Sequence, residues 1–275
     1  MPQLPKITVI TVCYNCISTI ERTLQNVLKQ TYPNVEYIVI DGNSNDGTRE
    51  VVMRYAQRLA YWVSEPDRGI YDAMNKGIKK ATGEWIIFRN AGDYFFSPTT
   101  IADVFAWYHD NGESLIVGGM RCFGKEGYRD AYYHTTSTDV WQQAHLPHPA
   151  TFIRSTVQKA HLYDTHYRIA SDYRLFQCLV LEHAMMAYYD GLVTLFDDEM
   201  GISSTRLALS WKEVWLIRKE LGAPRCVVNK TRRKYWRIRM LQLLVRLLNK
   251  LPWHAEKRHS ADWIAQPLAL TLKDI

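Results

Sequence analysis

Two acidic residues stand alone at the ends of apolar runs. Asp41 closes VEYIVID and leads into GNSNDGT, and Asp93 follows WIIF in the stretch FRNAGDYFF. A carboxylate in either place has two readings. Asn, Gly and Asp are turn residues, because their short side chains bond the local backbone and tolerate left-handed geometry. A carboxylate at the end of a buried strand can also hold a hard divalent cation, which needs only one or two such groups when phosphates and waters complete its shell. The first apolar run ends in a comparable way, in VCYN. Turn chemistry accounts for any one of the three. All three on one sheet edge point to a ligand, since open parallel sheets bind ligands beyond the carboxyl ends of their strands. No G-x-G-x-x-G follows the first run and no G-x-x-x-x-G-K-[ST] occurs, which argues against dinucleotide and P-loop chemistry.

A sheet must present these ends. ITVITVC is β-branched and barely alternates, as a strand buried on both faces does. In STIERTLQNVLKQ, Ile20, Leu24, Val27 and Leu28 form one helical stripe, with Ser18 and Glu21 at capping-box spacing. VEYIVID reads as a second strand, GTREVVMRYAQRL and IYDAMNKGIKKA as helices, EWIIF as a third strand, and TTIADVFAWYHD and SLIVGG as helix and strand. The alternation predicts an α/β chain, Rossmann-like, with a mostly parallel sheet flanked by helices. Past residue 120 the pattern becomes irregular. MRCFGKEGYRDAYYH reads as a hairpin around GKEG, SDYRLFQCLVLEH as a buried helix, and MAYYDGLVTLFDD as strands with a turn at Asp190-Gly191.

The chain has 275 residues, 47% hydrophobic and 23% charged, enough for a large core. Five cysteines, with Cys13 and Cys16 as a lone C-x-x-C, give neither a disulfide framework nor a second ligand pair for zinc. No apolar stretch is long enough to span a bilayer, and the N-terminal run is too strand-like for a signal peptide, so a cytoplasmic protein is expected. The net charge of +6 divides unevenly: 18 Lys and Arg against 23 Asp and Glu in residues 1–205, then 16 against 5 in residues 206–275. Opposite electrostatic character implies two jobs.

The blocks ITVITVCYN, QTYPNVEYIVIDGNSNDGT, SEPDRGIYDAMNKGIKKATGEWIIFRNAGD and HPATFIRS…YRIASDYRLF occur in the order found in family-two glycosyltransferases, which the chain resembles over residues 6–205. The likeness is to the bacterial surface-polysaccharide branch, where NAGD or NSGD replaces the usual D-x-D motif. It implies a GT-A fold over residues 1–205, with a nucleotide half at about 1–119 and an acceptor half at about 120–205. It also implies an inverting transfer from a nucleotide-diphosphate sugar, by default a UDP-sugar, to a glycan or lipid-linked acceptor. By this resemblance Thr11, Tyr14, Asn15, Asp41, Asp67 and Arg68 line the nucleotide site, with Asp41 accepting from the base. Asp93 binds Mn²⁺ or Mg²⁺, and Asp172 is the general base. His148 and Arg206 face substrate, Arg206 meeting the diphosphate. The residues themselves leave alternatives: Asp172 as a helix N-cap, Arg68 as a solvated loop charge, His148 as a structural histidine. Asn90 and Gly92 stand where the family usually has acids, so one carboxylate remains for the metal.

Residues 206–275 form a basic helical extension in which residues 229–253 carry eight Lys and Arg and no acid, with Leu runs, Trp236 and Trp253 between them. Such a segment suits an anionic membrane surface, on the inner face of the cell membrane. Two rival readings are a nucleotide-sugar-binding protein that has lost catalysis, motivated by the lone acid of NAGD, and a nucleic-acid-binding protein acting through the basic tail. The acidic first 205 residues oppose the second, so no nucleic acid is expected.

Overall fold

The computed structural model describes residues 4–124, 127–134, 141, 146–197 and 206–248. Its centre is a nine-stranded sheet ordered β3-β2-β1-β4-β8-β6-β9-β5, with β7 paired to β6. The strands are β1 (Ile7–Cys13), β2 (Val35–Asp41), β3 (Tyr61–Ser64), β4 (Trp85–Phe88), β5 (Tyr94–Phe95), β6 (Leu115–Gly124), β7 (Gly127–Ala131), β8 (Thr151–Arg154) and β9 (Met186–Asp197). The expected parallel sheet holds in the first half, where β3, β2, β1 and β4 run parallel. Beyond β4, the strands β8, β7 and β5 pair antiparallel, while β6 and β9 pair parallel.

Alternate residues of each central strand feed opposite cores. Val9, Val39 and Ile87 pack with Ile20, Leu24 and Val27 of α1 (Ile17–Leu28) and with α2 (Thr48–Arg54) and α4 (Thr100–Trp107). Ile10, Ile40 and Phe88 pack with Met74 and Ile78 of α3 (Ile70–Lys80) and with Leu175, Phe176 and Leu179 of α6 (Ser171–Leu181). Between α4 and α6 lies the short α5 (Ser155–Ala160). Two-sided burial is why ITVITVC and VEYIVID carry almost no polar alternation.

Two local expectations are corrected. Ser18 and Glu21 do not form a capping box: Cys16 holds the N-cap position without a side-chain cap, Asp46 accepts the Ile17 N–H at 3.0 Å, and Glu21 pairs with Arg54 at 3.1 Å. A residue from the next loop has taken over the local cap. Asp190-Gly191 is not a turn. It lies within the single strand β9, where Tyr188 pairs with Val117 and Leu192 with Gly119, so the intervening residues bulge. The strand Tyr61–Ser64, four half-buried residues at the sheet edge, goes unread in the sequence. The expected hairpin is present as β6 and β7, with Lys125 and Glu126 of its turn outside the described residues.

The basic C-terminal segment begins with α7 (Leu207–Glu220) and continues as α8 (Arg225–Leu248). α7 is bound firmly to α6. Val214 and Ile217 pack on Ala170 and Tyr173, the Arg218 Nε donates to the Tyr173 hydroxyl at 2.8 Å, and Arg174 pairs with Glu220 at 2.7 Å. No helix of the described residues is long and apolar enough to cross a membrane.

Candidate active site

Strand register places Cys13 beside Asp41 and Asp41 beside Ser64. Next to these ends opens a pocket of about 280 Å³ lined by Cys13, Tyr14, Cys16, Asp67, Ile70 and Asn90, among others. The Tyr14 ring is 63% exposed, a flat surface free to meet a base. Thr11 lies below, fully buried, its hydroxyl 2.9 Å from the Tyr37 hydroxyl. Asn15 adopts a left-handed conformation, φ 47°, and ties two loops together: its N–H donates to Ser44 Oγ at 2.8 Å and its Oδ1 accepts the Asn45 N–H at 3.0 Å. Thr11 and Asn15 thus build the pocket without lining it.

Asp41 is also not the base reader that the resemblance implied. It is fully buried and its oxygens are occupied, accepting from Ser44 N–H at 3.0 Å, from the Ser44 hydroxyl at 2.5 Å and from the Ser64 hydroxyl at 2.5 Å. The carboxylate that faces the pocket is Asp67. Its Oδ1 accepts the Gly69 N–H at 2.8 Å, while Oδ2 comes so close over Gly42, beside the Tyr14 ring, that a side chain at position 42 would collide with it. Asp41→Ala is therefore expected to act on stability. It strands three donors, the two of Ser44 buried and that of Ser64 half-buried, at a cost on the order of 3 kcal/mol, read as a lower urea midpoint; an unchanged midpoint would contradict the network.

Asp93 sits in a tight turn, its N–H donating to the Asn90 carbonyl at 2.8 Å. Behind it Arg89 is fully buried, 3.8 Å over the Phe95 ring, donating to the Phe88 carbonyl at 3.0 Å and to the Pro149 carbonyl. Burial pushes the Asp93 carboxyl up to about 6 against the pull of Arg89, and burial brings Arg89 down to about 9. The Asn90 Oδ1 is buried with no hydrogen-bond partner among the described residues. An orphaned amide oxygen costs about 1–3 kcal/mol, and together with a carboxylate three residues on it is the oxygen donor set that Mg²⁺ or Mn²⁺ prefers. At Gly92, φ 104°, a side chain would meet nothing within 4 Å, which leaves the turn open on that side. The residues present fit a divalent cation.

Asp172 lies in the first turn of α6, whose N-cap is Ala170, so it is not the cap. Its Oδ1 accepts the Tyr173 N–H at 2.9 Å and stands 2.9 Å from the Tyr71 hydroxyl, which also lies 2.6 Å from the Ile169 carbonyl. Burial and the Asp172 charge hold Tyr71 well above the usual phenol range, so it stays a donor. No hydrogen bond among the described residues engages the Asp172 Oδ2. The approach to α6 is fixed from outside: Glu213 of α7, buried, accepts the N–H groups of Arg168, Ile169 and Ala170, each at 2.9 Å. His148 is structural in position. It is buried, stacked on Phe88 at 5.0 Å, with Nε2 2.8 Å from the Tyr163 hydroxyl, and burial lowers its pKa, so it is neutral near pH 7. Arg68 pairs with Asp72 at 3.0 Å and, with Arg206, lines a second cleft beside the first. Residues 201–205, next to Arg206, lie outside the described residues.

The fold thus presents a strand-end pocket lined by Asn90, a turn that ends at Asp93, and a half-buried aspartate with one uncommitted oxygen. The Glycosyl transferase family 2 pattern matches residues 8–176, and the chain belongs to that family. It is 33% identical over 177 residues to an uncharacterized glycosyltransferase of Mycobacterium tuberculosis, covering 62% of this chain and 68% of the relative. It is 25% identical over 209 residues to a PGL/p-HBAD biosynthesis glycosyltransferase of Mycobacterium bovis, covering 73% and 80%. S. aureus TarS 1-349 in complex with UDP-GlcNAc superposes with a TM-score of 0.63 at 17% identity, over 84% of this chain and 71% of that one. The mannosyltransferase PcManGT of Pyrobaculum calidifontis, in complex with GDP-Man and Mn²⁺, gives 0.63 at 18% identity, over 94% and 79%. These likenesses establish the GT-A fold and a glycosyltransferase.

Proposed function

We propose that the protein is an inverting glycosyltransferase that moves a sugar from a nucleoside-diphosphate sugar to a glycan or lipid-linked acceptor of a surface polysaccharide. The observation that carries this reading is Asp172, held through one oxygen and free at the other, and bonded to Tyr71 in the wall of the cleft that adjoins the strand-end pocket. Tyr14 stacks on the base and the Asp67 Oδ2 accepts its ring N–H, which suits uracil, thymine or guanine and disfavours cytosine and adenine, whose rings offer no such donor. Asp93 and the Asn90 Oδ1 hold the divalent cation. When bound, the cation neutralises charge that develops on the departing diphosphate. Asp172 Oδ2 takes the proton of the acceptor hydroxyl as that oxygen bonds to the anomeric carbon and the carbon–phosphate oxygen bond breaks on the opposite face. One such displacement inverts the configuration. A thermal-shift panel of UDP-, GDP- and dTDP-sugars with and without Mn²⁺ tests the donor: a ligand at a hundred times its Kd adds about 2.7 kcal/mol to the native state. Silence across the panel would overturn the reading, and product of retained anomeric configuration would overturn the mechanism.

The membrane partner is proposed for α8. Trp236, Met240, Leu244 and Leu247 are exposed on it, and a groove of about 900 Å³ is lined by Trp236, Met240, Arg232, Arg233 and Arg237, among others. Exposed Trp and Leu among arginines favour a lipid surface over nucleic acid. Each basic residue at an anionic leaflet contributes about 1 kcal/mol. The protein is expected to sediment with phosphatidylglycerol vesicles, less so in high salt, and Trp236→Glu/Leu244→Glu is expected to stay in solution. Equal sedimentation of both would refute it. Trp253 and the rest of residues 249–253 lie outside the described residues.

A further inference from the structure

The second cleft holds about 380 Å³ and shares only Gly69 and Ile70 with the strand-end pocket. Three arginines line it: Arg68, Arg168 and Arg206. Arg68 is paired with Asp72, the one acid in the lining. Among the described residues no carboxylate lies within ion-pair distance of Arg168 or Arg206. The lining therefore carries two uncompensated guanidinium groups, arranged around a concave space. Guanidinium forks match phosphate oxygens in charge and in geometry.

Position separates this cleft from the donor's diphosphate. A diphosphate held by a cation at Asn90 and Asp93 belongs to the first pocket, which Asn90 lines, and neither residue lines the second. The second cleft instead has Tyr71 in its wall, and the Tyr71 hydroxyl bonds Asp172. Arg168 and Asp172 are joined by the strap whose amides Glu213 fixes, so cation and carboxylate are held in a set relation. A group seated in this cleft therefore lies against the tyrosine that bonds Asp172.

We propose that the Arg68–Arg168–Arg206 cleft binds a phosphate group carried by the acceptor, so that the acceptor is a phosphorylated molecule. This deepens the glycosyltransferase reading and rests on it. Asp172 would take the proton from a hydroxyl a few bonds away from the phosphate that the arginines hold. Asp72 keeps Arg68 turned into the cleft when no anion is present.

The test uses the full chain and inorganic phosphate as probe. The enzyme is first titrated with UDP and with GDP in the presence of Mg²⁺, and phosphate is then titrated into the nucleotide-saturated enzyme by calorimetry. Phosphate is expected to bind the saturated enzyme. Arg168→Gln is expected to weaken that binding at least tenfold, the typical loss of a charge-assisted contact, and to leave nucleotide affinity and melting temperature unchanged, since the side chain is exposed. Competition between nucleotide and phosphate would assign the cleft to the donor's diphosphate and overturn the proposal. So would phosphate binding that ignores the Arg168→Gln substitution, or no phosphate binding in the wild type. Failure of every nucleotide to bind would instead strike the donor reading, and the phosphate titration of the nucleotide-free enzyme would still report on the cleft.

Discussion

Asp172→Asn is expected to lower turnover by about a hundred- to ten-thousand-fold and to leave donor affinity within a few-fold of wild type. The range is that of a lost general base. Asparagine keeps an amide oxygen where Oδ1 receives the Tyr173 N–H and the Tyr71 hydroxyl, so the local bonds survive. The other position becomes an NH₂ group, which donates and cannot take a proton. Because the base acts as the new bond forms, its loss falls on turnover and leaves ground-state binding of the donor intact. Stability should also hold. Ala170 is the N-cap of α6, and its approach is anchored by Glu213, which the substitution leaves untouched. Single-turnover rates and calorimetric donor affinity on the same preparation decide the matter. Turnover near the wild-type rate would remove Asp172 from the chemistry, and a lowered melting temperature with weakened donor binding would reduce it to a packing residue.

The parts of this site that were legible are those whose signal is local. β1 and β2 announce themselves because burial on both faces leaves only β-branched and apolar residues, and such strands end where polar residues begin. Asp41, Asp93 and Asp172 could each be picked out as acids at element boundaries. What each acid touches could not. Asp41 is occupied by Ser44 and by Ser64, and Ser64 lies on β3, an edge strand of four half-buried residues with no alternation to read. Asp67 was placed at the nucleotide only by the family resemblance, and its position over Gly42 depends on two loops meeting. Glu213 was hidden most completely. In sequence it is one acid inside a basic amphipathic helix, where an exposed charge is the ordinary reading. In the fold it is buried and holds three amides of the strap before Asp172. Its role exists only through contacts between segments far apart in the chain. The basic extension accordingly supplies a support for the strap before Asp172 as well as an outer face. The departure at Asn90 reads differently as well: as a sequence change it subtracts an acid, and in the structure it leaves an unpartnered amide oxygen in the turn that ends at Asp93.

Asp93→Ala is expected to abolish the Mn²⁺-dependent gain in nucleotide affinity and to bring transfer to background. The reason is the poverty of the donor set. With Asn90 as a neutral ligand and Gly92 bearing no side chain, Asp93 supplies the only negative charge that this turn offers a cation. Its surroundings also predict a pH dependence. Burial raises the carboxyl from its ordinary 3.8 to about 6 in the metal-free protein. Proton and cation compete for the same oxygens, so the apparent Mn²⁺ affinity should fall about tenfold per unit below pH 6 and level off above it. Linkage gives the sign for stability. Between 3.8 and about 6 the folded chain binds the proton more than the unfolded chain does, so metal-free stability falls as pH rises through that window. A bound cation relieves the penalty, and its stabilising effect should therefore be larger at pH 7 than at pH 5. Both trends should vanish in Asp93→Ala. Isothermal titration with Mn²⁺ across pH 5 to 7.5 and melting curves with and without the ion measure them directly. A variant that still binds Mn²⁺ with the wild-type pH profile would place the cation elsewhere and leave Asp93 as the turn residue that its neighbours Asn90 and Gly92 also suit.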